Sequence, residues 1–260
     1  MNMETENTAR PVAPQQTGVS EQPGFLFYRR LNPTAVLFDG AYFLKRIRHI
    51  LKLKPEELSA TATAEMVSAI ANDHAEHFNG ELYRIFFYDC APFTGKARNP
   101  ISKNEVDFSK TPLAKFRKEL HDSLKIRRKL ALRLGYLRLG HWGLKKTIFD
   151  LLVNGKTKWE NISENDVQME FEQKAVDMKI GLDISSIALK GRVRTIILVA
   201  GDGDFIPATK TARREGVDFI IDPMGQHITD ALEEHVDGLR CAPISSLYGQ
   251  IQNSSKMKSL

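Results

Sequence analysis

The sequence predicts an α/β fold in three layers, with a central, mainly parallel sheet and helices on both of its faces. Short apolar runs, Ala35-Val36-Leu37-Phe38, Leu82 to Tyr88 and Thr195 to Ala200, read as buried strands. Segments of helical pattern separate them. Two of the runs end in Asp and Gly, residues suited to the turn where a strand gives way to a helix. Strands that alternate with helices pair in parallel, because a parallel neighbour needs a crossover of helix length.

Residues 1–24 are rich in Thr, Gln, Pro and Glu and read as a disordered tail. Residues 25–249 make the folded domain, and 250–260 form a flexible polar end. Within the domain, Tyr42 to Leu51 is a basic amphipathic helix and Thr63 to Phe78 a second helix. Leu113 to Leu134 reads as one long basic helix, followed by a strand from Tyr136 to Trp142. Asn154-Gly155 is a two-residue hairpin signal, so a hairpin or lid is expected within 147–173. A helix from Phe205 to Arg214 leads to a further strand, Val217 to Ile221. The stretch from about 91 to 170 is longer than a minimal domain needs and reads as a basic insertion.

Bulk properties exclude several classes. Hydrophobic residues make up 42% of the chain, enough for a real core. No apolar run approaches the roughly 18 residues of a membrane span, and the polar start has no signal-peptide pattern, so a cytoplasmic protein with no membrane partner is expected. Cys90 and Cys241 read as buried free thiols, and without a CxxC pair there is no ordinary zinc site. Of the 7 histidines only His74 and His77 lie close together, and they read as solvated. The net charge is +5, but from Ala91 to Lys146 there are 15 Lys and Arg against 4 Asp and Glu, which leaves the remainder acidic. A basic segment on an acidic remainder suits a polyanion bound beside a metal pocket.

Open α/β sheets place their chemistry beyond the carboxyl ends of the strands, at the switch point of the topology. Two such ends carry carboxylates, Phe38-Asp39-Gly40 and Ala200-Gly201-Asp202-Gly203-Asp204-Phe205. A third acidic element, Lys174 to Asp183, leads into a helix. If the strands at Ala35 and Thr195 are neighbours, Asp39, Asp202 and Asp204 converge, and Asp177 near the helix start can reach the same place. Clustered carboxylates repel one another unless a cation neutralises them. Oxygen ligands suit Mg²⁺ or Mn²⁺, which can polarise a phosphodiester and activate water. Taken singly, Asp39 is an ordinary turn residue, while Asp202 or Asp204 is a helix cap. Asp183, six residues after Asp177, is either a supporting or a surface residue.

The segments Ala35 to Tyr42, Lys174 to Asp177 and Leu198 to Pro207 resemble the three motifs of the NYN domain, and more narrowly its LabA-like branch within the PIN-like nuclease superfamily. The resemblance implies a PIN-like fold and a Mg²⁺- or Mn²⁺-dependent ribonuclease, with Asp39, Asp177, Asp202 and Asp204 as catalytic metal ligands. Tyr42, Lys174 and Asp183 are candidates for a supporting place around them. Tyr42 stands where many relatives carry Asn, and can orient water or phosphate only through its hydroxyl. RNA, preferably single-stranded, is the expected partner. Its platform is expected in Lys125, Arg127, Arg128 and Lys129, continued by Arg133 and Arg138, with Tyr136 and Trp142 as stacking surfaces. The alternative is an NYN-fold RNA-binding or interaction module with weak or no catalysis. A haloacid-dehalogenase-type phosphatase is disfavoured by Ala41 two residues after Asp39, and a dinucleotide site by the missing glycine-rich loop.

Overall fold

The computed structural model describes residues 32–258, so the expected tail at 1–24 lies outside the described residues. The chain forms β1 (Asn32–Asp39), α1 (Gly40–Leu51), α2 (Ala60–His77), β2 (Gly80–Cys90), β3 (Lys96–Arg98), β4 (Glu105–Asp107), α3 (Pro112–Lys125), β5 (Leu130–Leu144), α4 (Lys146–Val153), β6 (Val167–Lys174), α5 (Val176–Leu189), β7 (Thr195–Val199), α6 (Ile206–Arg214), β8 (Asp218–Asp222), α7 (Asp230–Glu233), β9 (Gly238–Leu239) and α8 (Ile244–Lys258). Seven strands make one sheet in the order β6-β5-β2-β1-β7-β8-β9, parallel except for β6, while β3 and β4 form a separate antiparallel pair.

The three layers follow from period-two alternation. On β1, Val36 and Phe38 face a core shared with α1, α2, α3 and α8, and Ala35 and Leu37 face a second core under α5 and α6. Because both faces are covered, β1 and β7 are continuous apolar runs. The chain first adds strands on one side of β1, then returns to add β7, β8 and β9 on the other. The switch point therefore lies between β1 and β7, as the sequence requires for Asp39 and Asp202 to meet.

Four expectations are corrected. The long basic helix ends at Lys125; after a turn with Lys129 at φ 60°, Leu130 opens β5. Pairing with β2 overrides helix propensity there. Asn154-Gly155 terminates α4, with Gly155 at φ 66°, and the antiparallel pair in this region is β5 with β6 instead. The expected flexible end is helical as far as Lys258, because Leu247, Tyr248 and Ile251 pack on the first core. The basic insertion is smaller than expected. Leu120 and Leu124 of α3 are buried in the first core and β5 pairs with β2, so both belong to the main layers.

The histidines hold a further correction. His74 is fully buried, and its Nε2 lies 2.9 Å from Asp222 Oδ2. Arg240 contacts its Nδ1 at 2.6 Å and Asp73 at 2.7 Å. Asp222, also fully buried, accepts from the backbone N–H groups of Met224 and Ala242. A polar knot thus ties α2 to the end of β8 and to the segment before α8. Replacing Asp222 with Ala should strip several donors of their acceptor at once and cost on the order of 3 kcal/mol, against less than about 1 kcal/mol for Asp73→Asn near the surface. Urea unfolding of both variants checks this; equal midpoints would show that the knot does not stabilise the fold.

Candidate functional site

The carboxyl edge of the sheet is built around Asp39. Its Oδ1 accepts from the N–H groups of Ala41 and Tyr42, at 3.0 and 3.1 Å, capping α1. Gly40 is dictated by space, since a Cβ there would sit 2.4 Å from the Tyr88 carbonyl oxygen. The turn therefore lies hard against β2 and leaves Asp39 half-buried at the mouth of the switch point.

The other acidic residues come from separate elements. Asp177 lies in the first turn of α5, just after Ala175, which adopts a left-handed conformation at φ 70°. Asp202 Oδ1 accepts from the Asp204 N–H at 3.1 Å and caps the short turn 203–205, so Asp202 rather than Asp204 is the cap. Burial pushes the Asp39 carboxyl above its ordinary range, the amides of Tyr42 and Ala41 offset part of this, and the charges of Asp177 and Asp89 add to it. Asp177 is likewise raised, by desolvation and then by the charges of Asp202 and Asp204. Asp177 thus links the set, its charge acting on Asp39 and the charges of Asp202 and Asp204 acting on it. None of them makes a salt bridge among the described residues.

Asp89, next to the end of β2, lies in the same neighbourhood and sequence reasoning missed it. It is 1% exposed. Arg117 and His121 of α3 both bind its carboxylate, His121 at 2.7 Å, and these partners outweigh the effect of burial and hold its pKa below the ordinary value. His121, 3% exposed, is accordingly a buried partner and not a solvated residue. The signal was available: Tyr88-Asp89 and Ile221-Asp222 both end apolar strands as Phe38-Asp39 does.

The supporting candidates have other partners. The Tyr42 hydroxyl donates to the Pro223 carbonyl oxygen at 2.6 Å, and its ring lies so close to Gly201 that a Cβ there would be 2.9 Å away. Burial raises its pKa to about 12, so it remains a donor and latches α1 to the loop after β8. Lys174 pairs with Glu172 at 2.8 Å. Asp183 accepts from Tyr88 Oη at 2.9 Å and Arg133 Nε at 3.1 Å. Of the thiols, Cys90 is buried as expected, whereas Cys241 is exposed.

The basic candidates divide between the two ends of the sheet. Leu130 lies opposite Ile85, whereas Asp39 lies opposite Tyr88 and Tyr88 opposite Arg133. Lys125 to Lys129 therefore sit at the amino edge, with Lys129 roughly 13 Å below the level of Asp39 at about 3.3 Å per residue. Lys125, Arg127 and Lys129 are paired there with Asp122, Glu65 and Glu81. A basic wall at this turn beside the acidic edge is thus corrected. Only Arg133 and Arg138 reach the acidic level, Arg138 on the part of β5 that runs on past the carboxyl edge with β6.

An all-oxygen set with two raised carboxyls suits a hard divalent cation in its donor chemistry. As the side chains stand, no three His, Cys, Asp or Glu among the described residues are grouped to hold one ion. Three of the four, Asp177, Asp202 and Asp204, are exposed and unpaired with any cation.

The NYN domain family matches residues 118–239. The chain is thus similar to that family over this stretch, and its mainly parallel seven-stranded sheet with helices on both faces is consistent with a PIN-like fold. The match takes in Asp177, Asp202 and Asp204 but begins after β1 and Asp39. No curated protein matches the chain. Two solved Sir2 enzyme structures, one of them Sir2Af2 bound to a myristoylated histone peptide, align over 88% of this chain and 94% and 93% of theirs. Each has 11% identity and a TM-score of 0.35, too low to equate the folds. Among the described residues no helix is long and apolar enough to cross a membrane.

The raised pKa of Asp39 fixes the sign of a pH effect. The native state binds its proton more tightly than the unfolded chain does, so stability falls as pH rises from the ordinary value of 3.8 through the native one, then levels off. Asparagine caps a helix as well as aspartate. Asp39→Asn should therefore melt higher than the parent at pH 7 in EDTA, and the gain should shrink on approach to pH 4. A gain that is constant across pH would contradict this.

Proposed function

We propose that this protein is a divalent-metal-dependent ribonuclease, most simply an endoribonuclease, acting on single-stranded RNA. The observation that carries the reading is the unequal treatment of carboxylates along one edge. Asp89 and Asp222 are buried and answered by dedicated partners, Asp89 by Arg117 and His121 and Asp222 by His74 and two backbone N–H groups, while Asp39 and Asp177, both raised by burial and neighbouring carboxylates, and Asp202 and Asp204 have no cationic partner among the described residues. A fold that gives two such carboxylates buried side-chain partners and leaves the third to backbone amides alone supports a cation from solution at that third one.

Asp39, Asp177, Asp202 and Asp204 would hold Mg²⁺ or Mn²⁺ and are the residues we assign to catalysis. When bound, the ion supplies charge neutralisation at a phosphate and a lowered pKa for an attacking water. The protein's own contribution is positional. The two amide donors to Asp39 Oδ1 fix that carboxylate in orientation and leave its second oxygen uncommitted. Tyr42 holds the Gly201 turn against α1, which sets where Asp202 and Asp204 start. Arg133 and Arg138, exposed on β5, offer positive charge to RNA phosphates at and beyond the acidic level. A flexible strand reaches such an edge more easily than a duplex does.

The absence of a ready three-ligand group among the described residues favours a second reading, an RNA-binding module without catalysis. End-mapping of single-stranded RNA incubated with Mg²⁺ or Mn²⁺ separates the two. Internal cuts are expected that vanish in EDTA. Asp39→Asn and Asp202→Asn should each slow cleavage about 100-fold or more while retaining a cooperative melt, the loss of several kcal/mol of transition-state stabilisation. Cleavage within a few-fold of the parent in both variants would overturn the assignment, and binding without cleavage would establish the second reading.

The placement of the basic residues gives a separate expectation. Arg138→Ala should weaken RNA binding and flatten its salt dependence more than Arg127→Ala combined with Arg128→Ala, because the latter pair lies at the far edge. Fluorescence anisotropy over a salt series measures both. A larger effect from the pair would move the RNA path to the amino edge.

A further inference from the structure

Beside the acidic edge lies a cavity of about 370 Å³, bounded by the segment after β2, the start of α3 and the strands β5 and β6. Its walls include Phe93, Phe108 and Phe171, whose rings lie 5.2 to 5.8 Å apart in tilted and edge-on pairs, and Trp142 extends the group at 6.3 Å from Phe108. These four rings are half-buried, and none of them belongs to either core of the sheet. Leu113, 66% exposed, stands at the cavity rim. The lining is mainly apolar, and its chief charged groups are Asp89 and Arg117, which satisfy each other.

We propose that this cavity receives one unstacked nucleobase of the RNA whose phosphate lies at the acidic edge, an inference that rests on the ribonuclease reading above. The position supports it. Asp89, in the cavity lining, is the next-to-last residue of β2 and one beyond Tyr88, and Tyr88 lies opposite Asp39. A nucleotide with its phosphate at Asp39 has its base within reach of this cavity. The chemistry supports it as well. The Asp89 charge is already neutralised by Arg117 and His121, so the cavity offers an anion no free cation and a cation no free carboxylate. What remains is a set of ring surfaces suited to a flat, uncharged aromatic, with hydrogen-bonding capacity at the edge. Gln173 contributes an amide, and the Arg117 guanidinium makes one hydrogen bond, to Asp89, among the described residues. Aromatic faces with hydrogen-bonding groups at their rim are how proteins hold splayed-out RNA bases, and the stacking part tolerates any sequence.

The test walks a single abasic ribose along a short single-stranded RNA and measures affinity by anisotropy in Ca²⁺, for the parent, Phe93→Ala and Leu113→Trp. One abasic position is expected to cost the parent about tenfold in Kd, within the range for loss of one stacked base. Phe93→Ala should weaken the intact RNA by a similar factor and no longer respond to that abasic position. Leu113→Trp, a change at an exposed rim residue, should fill the cavity and reproduce the effect even if Phe93→Ala fails to fold. Thermal melting reports folding in each case. A parent that binds RNA but gives a flat abasic walk overturns the inference and leaves the ribonuclease reading standing. So does full additivity of the Phe93 and abasic losses, which would make the rings a packing cluster only. A parent that binds no RNA removes both.

Discussion

The repulsion among carboxylates at the carboxyl edge of the sheet is the constraint around which the local structure is organised. The parallel strands on either side of the switch point end along one edge of the sheet, and three of them carry Asp at or next to that end, at 39, 89 and 222. Negative charge concentrated there costs stability unless something answers it. The fold answers at two places. Helix α3 delivers Arg117 and His121 to Asp89, and α2 delivers His74 to Asp222, with Arg240 from the segment after β9 bonded to the other nitrogen of the His74 ring. At Asp39 it supplies only two backbone amides, which orient the side chain without neutralising it.

This explains how far the sequence could be read. The layer architecture and a helix start near Asp177 follow from apolar runs and turn residues, which are local signals, whereas the adjacency of β1 and β7 entered the sequence reading only as a condition. The roles of Asp89 and Asp222 do not follow, because their partners are 28 to 148 residues away and nothing near them in sequence marks the pairing. His74 illustrates the limit. A histidine on a helix is solvated in the absence of other information, and only the distant Asp222 makes it a core residue. Helix propensity misled in the same way at Leu130, where the alternation Leu130, Leu132, Leu134 was present but the charges around it suggested a helix.

The basic charge shows the same separation between composition and place. A surplus of Lys and Arg between 91 and 146 is real, yet much of it is spent in pairs: Lys125 with Asp122, Arg127 with Glu65, Lys129 with Glu81 and Arg133 with Asp183. Exposed pairs of this kind contribute little to stability. The part of β5 that continues beyond β2 carries Arg138 past the acidic edge, held by β6 along its length. Charge count says nothing about place; the register of one strand puts Arg138 at the acidic end of the sheet.

The polar knot at Asp222 has a further consequence for how the protein is made. It joins residue 74 to residues 222 and 240, contacts separated by well over a hundred positions. Contacts so distant along the chain form late and slowly. As the polypeptide emerges from the ribosome, β1 and β2 leave first, but β7 with Asp202 and Asp204 follows more than a hundred residues later, and the clasp that fixes β8 needs Arg240. A nascent chain thus has no assembled acidic edge while it is still close to the messenger being translated.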